Sequence, residues 1–190
     1  MEMGGEIPHA PAIFIKPPAA YIESRDKIRL PDMSKIVHHE VELVVVIGKE
    51  CISISKEDAD DYIAGYGIGI DVTMRDVQAE AKKEGKPWAV AKGFVTSAPI
   101  SKIIPKSQIN GNNPDFYLEL KINGEIRQKG STADMERKPD VLIEFLSKVF
   151  TLQPGDCIFT GTPEGVGQIT SGDKLLADLG GLACLEVTVE

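Results

Sequence analysis

Apolar and polar positions along the chain predict more strands than helices. The stretch "AIFIKP" (residues 12–17) reads as a strand ended by Pro17 and Pro18. The densest apolar run, "EVELVVVIG" (40–48), predicts a buried strand closed by Gly48. In "SKEDADDYIAG" (55–65) Ser55 stands as a cap, Asp58 follows three residues on, and Gly65 comes after the end, which predicts a helix. "GYGIGIDV" (65–72) is short, apolar and rich in glycine, so it predicts a buried strand. A helix follows in "TMRDVQAEAKKEG" (73–85), with Thr73 and Asp76 at capping-box spacing and Gly85 at the stop. "FYLELKINGEIRQKG" (116–130) predicts a hairpin turning at Asn123-Gly124, and "PDVLIEFLSKVF" (139–150) an amphipathic helix opened by Pro139. Three more strands are expected in "CIFTG", "KLLADLG" and "CLEVTVE". Many strands, about three helices and no sustained strand–helix alternation point to an α+β fold with a largely antiparallel or mixed sheet.

Length changes this picture little: 190 residues suit one domain with a real core. No repeat, low-complexity tract or long linker divides it. The net charge of −8 argues against nucleic acid or an anionic membrane as partner, because both reward a basic surface. An anionic small substrate stays open, since a bound metal reverses the local field. Cys51, Cys157 and Cys184 are far apart in apolar surroundings, with no metal-ligand spacing, and read as core thiols of a reducing compartment. The longest apolar run is too short to cross a bilayer, and the N-terminus lacks the basic and apolar regions of a signal peptide. The expected location is therefore the cytoplasm.

The chemistry begins at the mouth of the apolar strand, in "HHEVELVVVIG". Side chains alternate along a strand, so Glu40 and Glu42 share one face. Either that end is solvated, or a cation sits between two like charges that otherwise repel. Asp71, at the end of the "GIGI" strand and just before a predicted helix start, either caps that helix or joins the pair. Three acidic oxygens without cysteine select a hard cation, Mg²⁺ or Mn²⁺ before Zn²⁺. His38 lies on the same face and reads as a polar residue at a core edge, with a fourth ligand or an orienter as the alternative. Arg75 and Gln78 are three apart, on one face of the second helix. Lys92 is the only charge in "PWAVAKGF": it either snorkels to solvent or fixes an anionic group near a cation site. "TGTPEGVG" (160–167) is a glycine-rich turn without the lysine of a P-loop.

Together, "HHEVELVVVIG", "YIAGYGIGIDVTMRDVQ", "KPWAVAKGF", "LKINGEIRQ" and "FTGTPEGVG", in this order and across nearly the whole chain, resemble the fumarylacetoacetate hydrolase family. The similarity is closest to its small single-domain members of the acylpyruvase and oxaloacetate decarboxylase type. The resemblance implies a mixed β-roll, a homodimer and one divalent cation, Mg²⁺ or Mn²⁺, per subunit. It implies Glu40, Glu42 and Asp71 as metal ligands, and Arg75, Gln78, Lys92 and Thr162 as contacts to a 2-oxo acid. The implied activity is cleavage of an acylpyruvate or decarboxylation of oxaloacetate through a metal-stabilised enolate, with Lys92 adding positive charge. Isomerisation of a hydroxyheptadienedioate-like diacid, or silent binding of metal and 2-oxo acid, are the alternatives. Such members carry an N-terminal segment whose histidine and glutamate activate a water. Here "MEMGG" matches only its tail, so Glu2 stands at the glutamate and the histidine falls before residue 1. The expectation is a chain that begins inside the motif, lacks the family's first strand, and favours decarboxylation or enolate protonation over hydrolysis.

Overall fold

The computed structural model describes residues 10–111 and 114–190. Its strands are β1 (Tyr21–Ile22), β2 (Lys27–Ile28), β3 (Val37–His39), β4 (Val41–Ile47), β5 (Ile63–Ile70), β6 (Thr73–Met74), β7 (Ala98–Pro99), β8 (Ile104–Pro105), β9 (Tyr117–Ile122), β10 (Glu125–Ser131), β11 (Cys157–Phe159), β12 (Gly167–Gln168), β13 (Lys174–Leu179) and β14 (Ala183–Val189). The helices are α1 (Arg75–Lys83), α2 (Ala89–Lys92) and α3 (Pro139–Val149). Five strands run in the order β10-β9-β13-β14-β2, four as β11-β4-β5-β8, three as β12-β3-β6, and β1 pairs with β7. Most pairings are antiparallel, while β1–β7 and β14–β2 are parallel. The fold is α+β with mixed sheets.

The β4–β5 ladder is the centre of the core. All but one of its β4 residues are buried, because β4 is flanked by β5 on one side and β11 on the other. Ile68, Ile70, Leu43 and Val45 from it share one buried apolar cluster with Leu120, Leu175 and Leu185 of the five-stranded sheet. Glycine lets the side chains close in on β5: a Cβ on Gly69 would stand 2.7 Å from both Phe159 Cε1 and Val44 Cγ2, so one of them would have to shift. Glu40 lies in the one-residue gap where the chain leaves the β12-β3-β6 sheet and enters the four-stranded one. That crossover, rather than a single long strand, is what the run "HHEVELVVVIG" encodes.

Four expectations are corrected. The segment 55–65 is not a helix: only Ala59–Tyr62 form a 3-10 turn, and Ile63 already pairs with Ile47 as the start of β5. Ser55 and Asp58 bond each other at 2.9 Å as a local turn, so the capping signal is real but the ladder takes the chain. Residues 12–17 form no strand, although the alternation holds: Ile13 and Ile15 are exposed, while Phe14 and Lys16 turn inward. Thr73 is not the cap of α1 but part of β6, and Asp76 binds the Ser34 hydroxyl at 2.6 Å and the Lys35 amide at 2.8 Å. Of the three cysteines only Cys51 is buried; Cys184 occupies an outward position of β14, where burial alternates. No helix among the described residues is long and apolar enough to cross a membrane.

Candidate metal centre

The β4–β5 register builds the site. Val41 faces Ile70, so the next residues outward, Glu40 and Asp71, meet, and the Asp71 amide donates to the Glu40 carbonyl at 2.8 Å. Glu42 follows on the same face as Glu40, opposite Gly69. Each of Glu40, Glu42 and Asp71 offers an oxygen within 4.8 Å of the others, and all three are buried, Asp71 completely. Among the described residues this is the one acidic or histidine cluster with metal-holding geometry.

Three cations balance the three carboxylates. Lys92 Nζ donates to Glu40 Oε2 at 2.8 Å, to Thr73 Oγ1 at 2.7 Å and to Asp71 Oδ2, so its three N–H groups are all engaged with the protein. It does not snorkel: its side chain is 3% exposed, under the Phe14 ring. Arg75 reaches Glu40 Oε1 at 2.7 Å and Gln78 Oε1 at 2.8 Å, and its Nε meets His38 Nδ1 at 3.3 Å. The third cation is Lys16, 2.8 Å from Asp71 Oδ1 and also bonded to the Lys92 carbonyl, the Ser97 carbonyl at 2.9 Å and the Ser97 hydroxyl at 3.1 Å.

Burial dominates the electrostatics. It pushes Glu42 up to about 8, with the charges of Asp71 and Glu40 adding to the effect and the Gly161 amide, 2.7 Å from Oε2, opposing it. Glu40 is raised for the same first reason. Burial works against charge on Lys92, yet the Asp71 and Glu40 carboxylates hold it above the ordinary lysine value. Lys16 falls below that value, because burial outweighs its single carboxylate partner. His38 is lowered by burial and by the Arg75 charge, and is therefore the neutral acceptor of the Arg75 N–H. A carboxylate that resists ionising beside two others is what a hard divalent cation relieves, so this donor set fits Mg²⁺ or Mn²⁺.

The strand-derived triad, Arg75, Gln78 and Lys92 are thus brought to one place. Thr162 lies beside it, one residue past the Gly161 amide that binds Glu42. His38 sits with Arg75 rather than among the carboxylates. Glu2 lies outside the described residues. Sequence reading missed Lys16, whose signal is the same as that of Lys92: a lone charge closing an apolar run, "AIFIK". It also passed over Thr73, read as a cap, and Gln128, inside a hairpin read only for its turn.

Known proteins resemble the chain over nearly its whole length. The model of the fumarylacetoacetate (FAA) hydrolase C-terminal family matches residues 2–190. The mitochondrial oxaloacetate tautomerase of Arabidopsis thaliana is 45% identical over 190 residues, covering 100% of this chain and 84% of that protein. The oxaloacetate tautomerase of Escherichia coli K12 is 46% identical over 180 residues, covering 95% of this chain and 82% of that protein. Among solved structures, fumarylpyruvate hydrolase from Pseudomonas aeruginosa, in complex with Mn²⁺ and pyruvate, superposes with a TM-score of 0.93 at 35% identity, covering 99% of this chain and 82% of that one.

Proposed function

The chain belongs to the fumarylacetoacetate hydrolase family and is an enzyme, and from that premise we propose that it interconverts or consumes oxaloacetate-type 2-oxo acids through their C3 enolate. The observation that carries this reading is the charge balance of the site. Three carboxylates face three buried or half-buried cations, so an added divalent ion leaves two positive charges, which offset the C1 carboxylate and the developing enolate oxygen of a 2-oxo acid and leave the C4 carboxylate of oxaloacetate to a further donor such as Arg75. Held by Glu40, Glu42 and Asp71, Mg²⁺ or Mn²⁺ supplies Lewis acidity where that oxyanion forms.

The remaining work falls to the chain's own groups. Arg75 keeps part of its planar fork free beyond Glu40, Gln78 and His38, and orients a carboxylate. Lys92 contributes fixed charge from beneath the carboxylates rather than a free N–H. Thr162 and Gln78 contribute neutral hydrogen bonds that set the substrate's position. Supporting the choice of substrate, the two tautomerases above are named for oxaloacetate. A second reading, cleavage of an acylpyruvate, is favoured by the pyruvate in the Pseudomonas structure.

The test is three parallel assays on the Mn²⁺-loaded protein: ultraviolet absorbance of enol-oxaloacetate, release of pyruvate from oxaloacetate, and cleavage of acetylpyruvate. Loss of the enol signal faster than the buffer rate is the expected result. Asp71→Ala should lower it by about 10²-fold or more, the scale of a lost electrostatic stabiliser. Undiminished turnover by the EDTA-treated protein sinks the metal-dependent reading, and acetylpyruvate cleavage alone selects the second one.

A further inference from the structure

Gln128 is the one buried residue of β10, and its side chain ends between the metal strand and the glycine-rich loop. A register shift between Ile126 and Gln128 aims it there, as a bulge does when it turns a side chain out of alternation. The loop closes over the bulge: a Cβ on Gly165, where φ is +98°, would stand 2.3 Å from the Arg127 carbonyl. Gln128 is 1% exposed and all four of its hydrogen-bonding positions are filled. Oε1 accepts from the Val41 amide at 3.0 Å and contacts His39 Nδ1 at 2.8 Å. Nε2 donates to Thr162 Oγ1 at 2.8 Å and to the Pro163 carbonyl at 2.9 Å. The orientation is fixed by chemistry, since a backbone N–H needs the oxygen and a backbone C=O needs the nitrogen.

The sheet register gives this contact its meaning. Strand β11 pairs with β4 as far as Phe159 opposite Val44. Continued outward, the same register sets Gly161 opposite Glu42 and Thr162 opposite Val41. Direct pairing there would draw the loop to about 4.8 Å from the metal strand. Instead the Gln128 amide is inserted between Val41 and Thr162, and the loop is held open at the side of the carboxylates. Because Nε2 donates to Thr162 Oγ1, the threonine oxygen is used as an acceptor and its own proton is left to donate elsewhere.

We propose that Gln128 is a positioning residue for substrate: it spaces the 160–163 loop from the metal strand and turns the Thr162 hydroxyl into a donor toward a substrate carboxylate. This rests on Thr162 contacting the substrate. Gln128→Glu keeps the shape but replaces the Nε2 donor with an acceptor, which recaptures the Thr162 proton. Gln128→Met removes the bonds without adding charge.

The experiment is calorimetric titration of the full chain with Mn²⁺, then of the Mn²⁺-loaded protein with oxalate, together with KM, kcat for oxaloacetate and the melting midpoint. Gln128→Glu and Thr162→Val should each weaken oxalate about tenfold, the scale of one hydrogen bond to a charged group, and raise KM more than they lower kcat. Thr162→Ser should retain affinity. In the Thr162→Val background, Gln128→Glu should add little, because its target hydroxyl is already gone. A full tenfold loss by Gln128→Glu in that background would trace its effect to charge alone and overturn the proposal. So would Gln128→Glu and Gln128→Met variants that melt lower yet bind oxalate like the parent, a purely structural role. Parent-like oxalate binding by Thr162→Val would instead overturn the Thr162 assignment, and the proposal with it.

Discussion

Glu42 carries a clear pH consequence at the scale of one residue. Its carboxyl titrates near 8 in the metal-free fold, chiefly through burial, against an ordinary value of about 4.5 in the unfolded chain. A raised carboxyl favours the protonated folded state, so its contribution is intact below the unfolded value and is lost as pH climbs to about 8. The metal-free protein should therefore weaken from mildly acidic to alkaline pH, and Glu42→Gln should raise its melting midpoint more at pH 8.5 than at pH 6. Metal must displace that proton. Binding of Mn²⁺ at pH 7 should release about one proton, read by titration calorimetry in buffers of different ionisation enthalpy, and release should vanish above about pH 9. Proton release unchanged in Glu42→Gln would locate the titration elsewhere. That Glu40 and Glu42 share a face and that Asp71 ends a strand was legible in the sequence because strand alternation and strand ends are local, whereas the union of the three in one cluster was implied only by the family resemblance until the β4–β5 register joined them. Lys16 and Gln128 were not, because their partners are 55 and 87 residues away and only the folded register brings them near Asp71 and Val41.

At the scale of elements, apolar periodicity and turn signals identified β4, most of β5, the β9–β10 hairpin, α1, α3 and strands β11, β13 and β14. Local signals failed where two rules competed. Ser55 and Asp58 carry a helix-cap spacing, but Ile63, Tyr66 and Ile68 have a ladder to join, and pairing plus burial outweigh a cap of about 1 kcal/mol. Residues 12–17 alternate like a strand yet lie beside α2, where Gly93 leaves room for Pro17 and the Ile15 carbonyl. Gly69 shows how tightly the site-bearing ladder is built. Gly69→Ala would press a methyl against Phe159 and Val44 at 2.7 Å, and overpacking of this kind costs about 1–3 kcal/mol. The melting midpoint should fall by roughly 3–10 °C in a chain of this size. Mn²⁺ affinity should fall with it, since Phe159 leads directly into the loop that binds Glu42 through Gly161. A parent-like midpoint would mean that Phe159 swings aside freely and that the ladder does not hold the loop.

The whole molecule converges on Asp71. The connection from β5 to β6 supplies it, β4 supplies Glu42, the crossover from β3 to β4 supplies Glu40, α1 supplies Arg75, α2 supplies Lys92, and the segment before β1 supplies Lys16. Buried charge makes these parts interdependent, because removing one partner strands the other in a medium that solvates it poorly. Lys16→Met is the sharpest probe, as it leaves Asp71 Oδ1 and the carbonyls of Lys92 and Ser97 without their shared cation. The metal-free variant should lose about 3–5 kcal/mol, the usual cost of breaking a buried ion pair. A divalent ion supplies charge to the same carboxylate, and a site stripped of one fixed cation attracts it more strongly. Mn²⁺ should therefore bind Lys16→Met more tightly than the parent and stabilise it by a larger increment at the same Mn²⁺ concentration, as ligand linkage requires. Limited proteolysis across residues 12–17 gives an independent reading: cleavage there should quicken in the variant whether or not metal is present, because Lys16 is the side chain that ties this segment to the centre. If Lys16→Met melts like the parent without metal, Asp71 is already balanced by Lys92 alone, and the N-terminal segment is a cover for the centre rather than one of its walls.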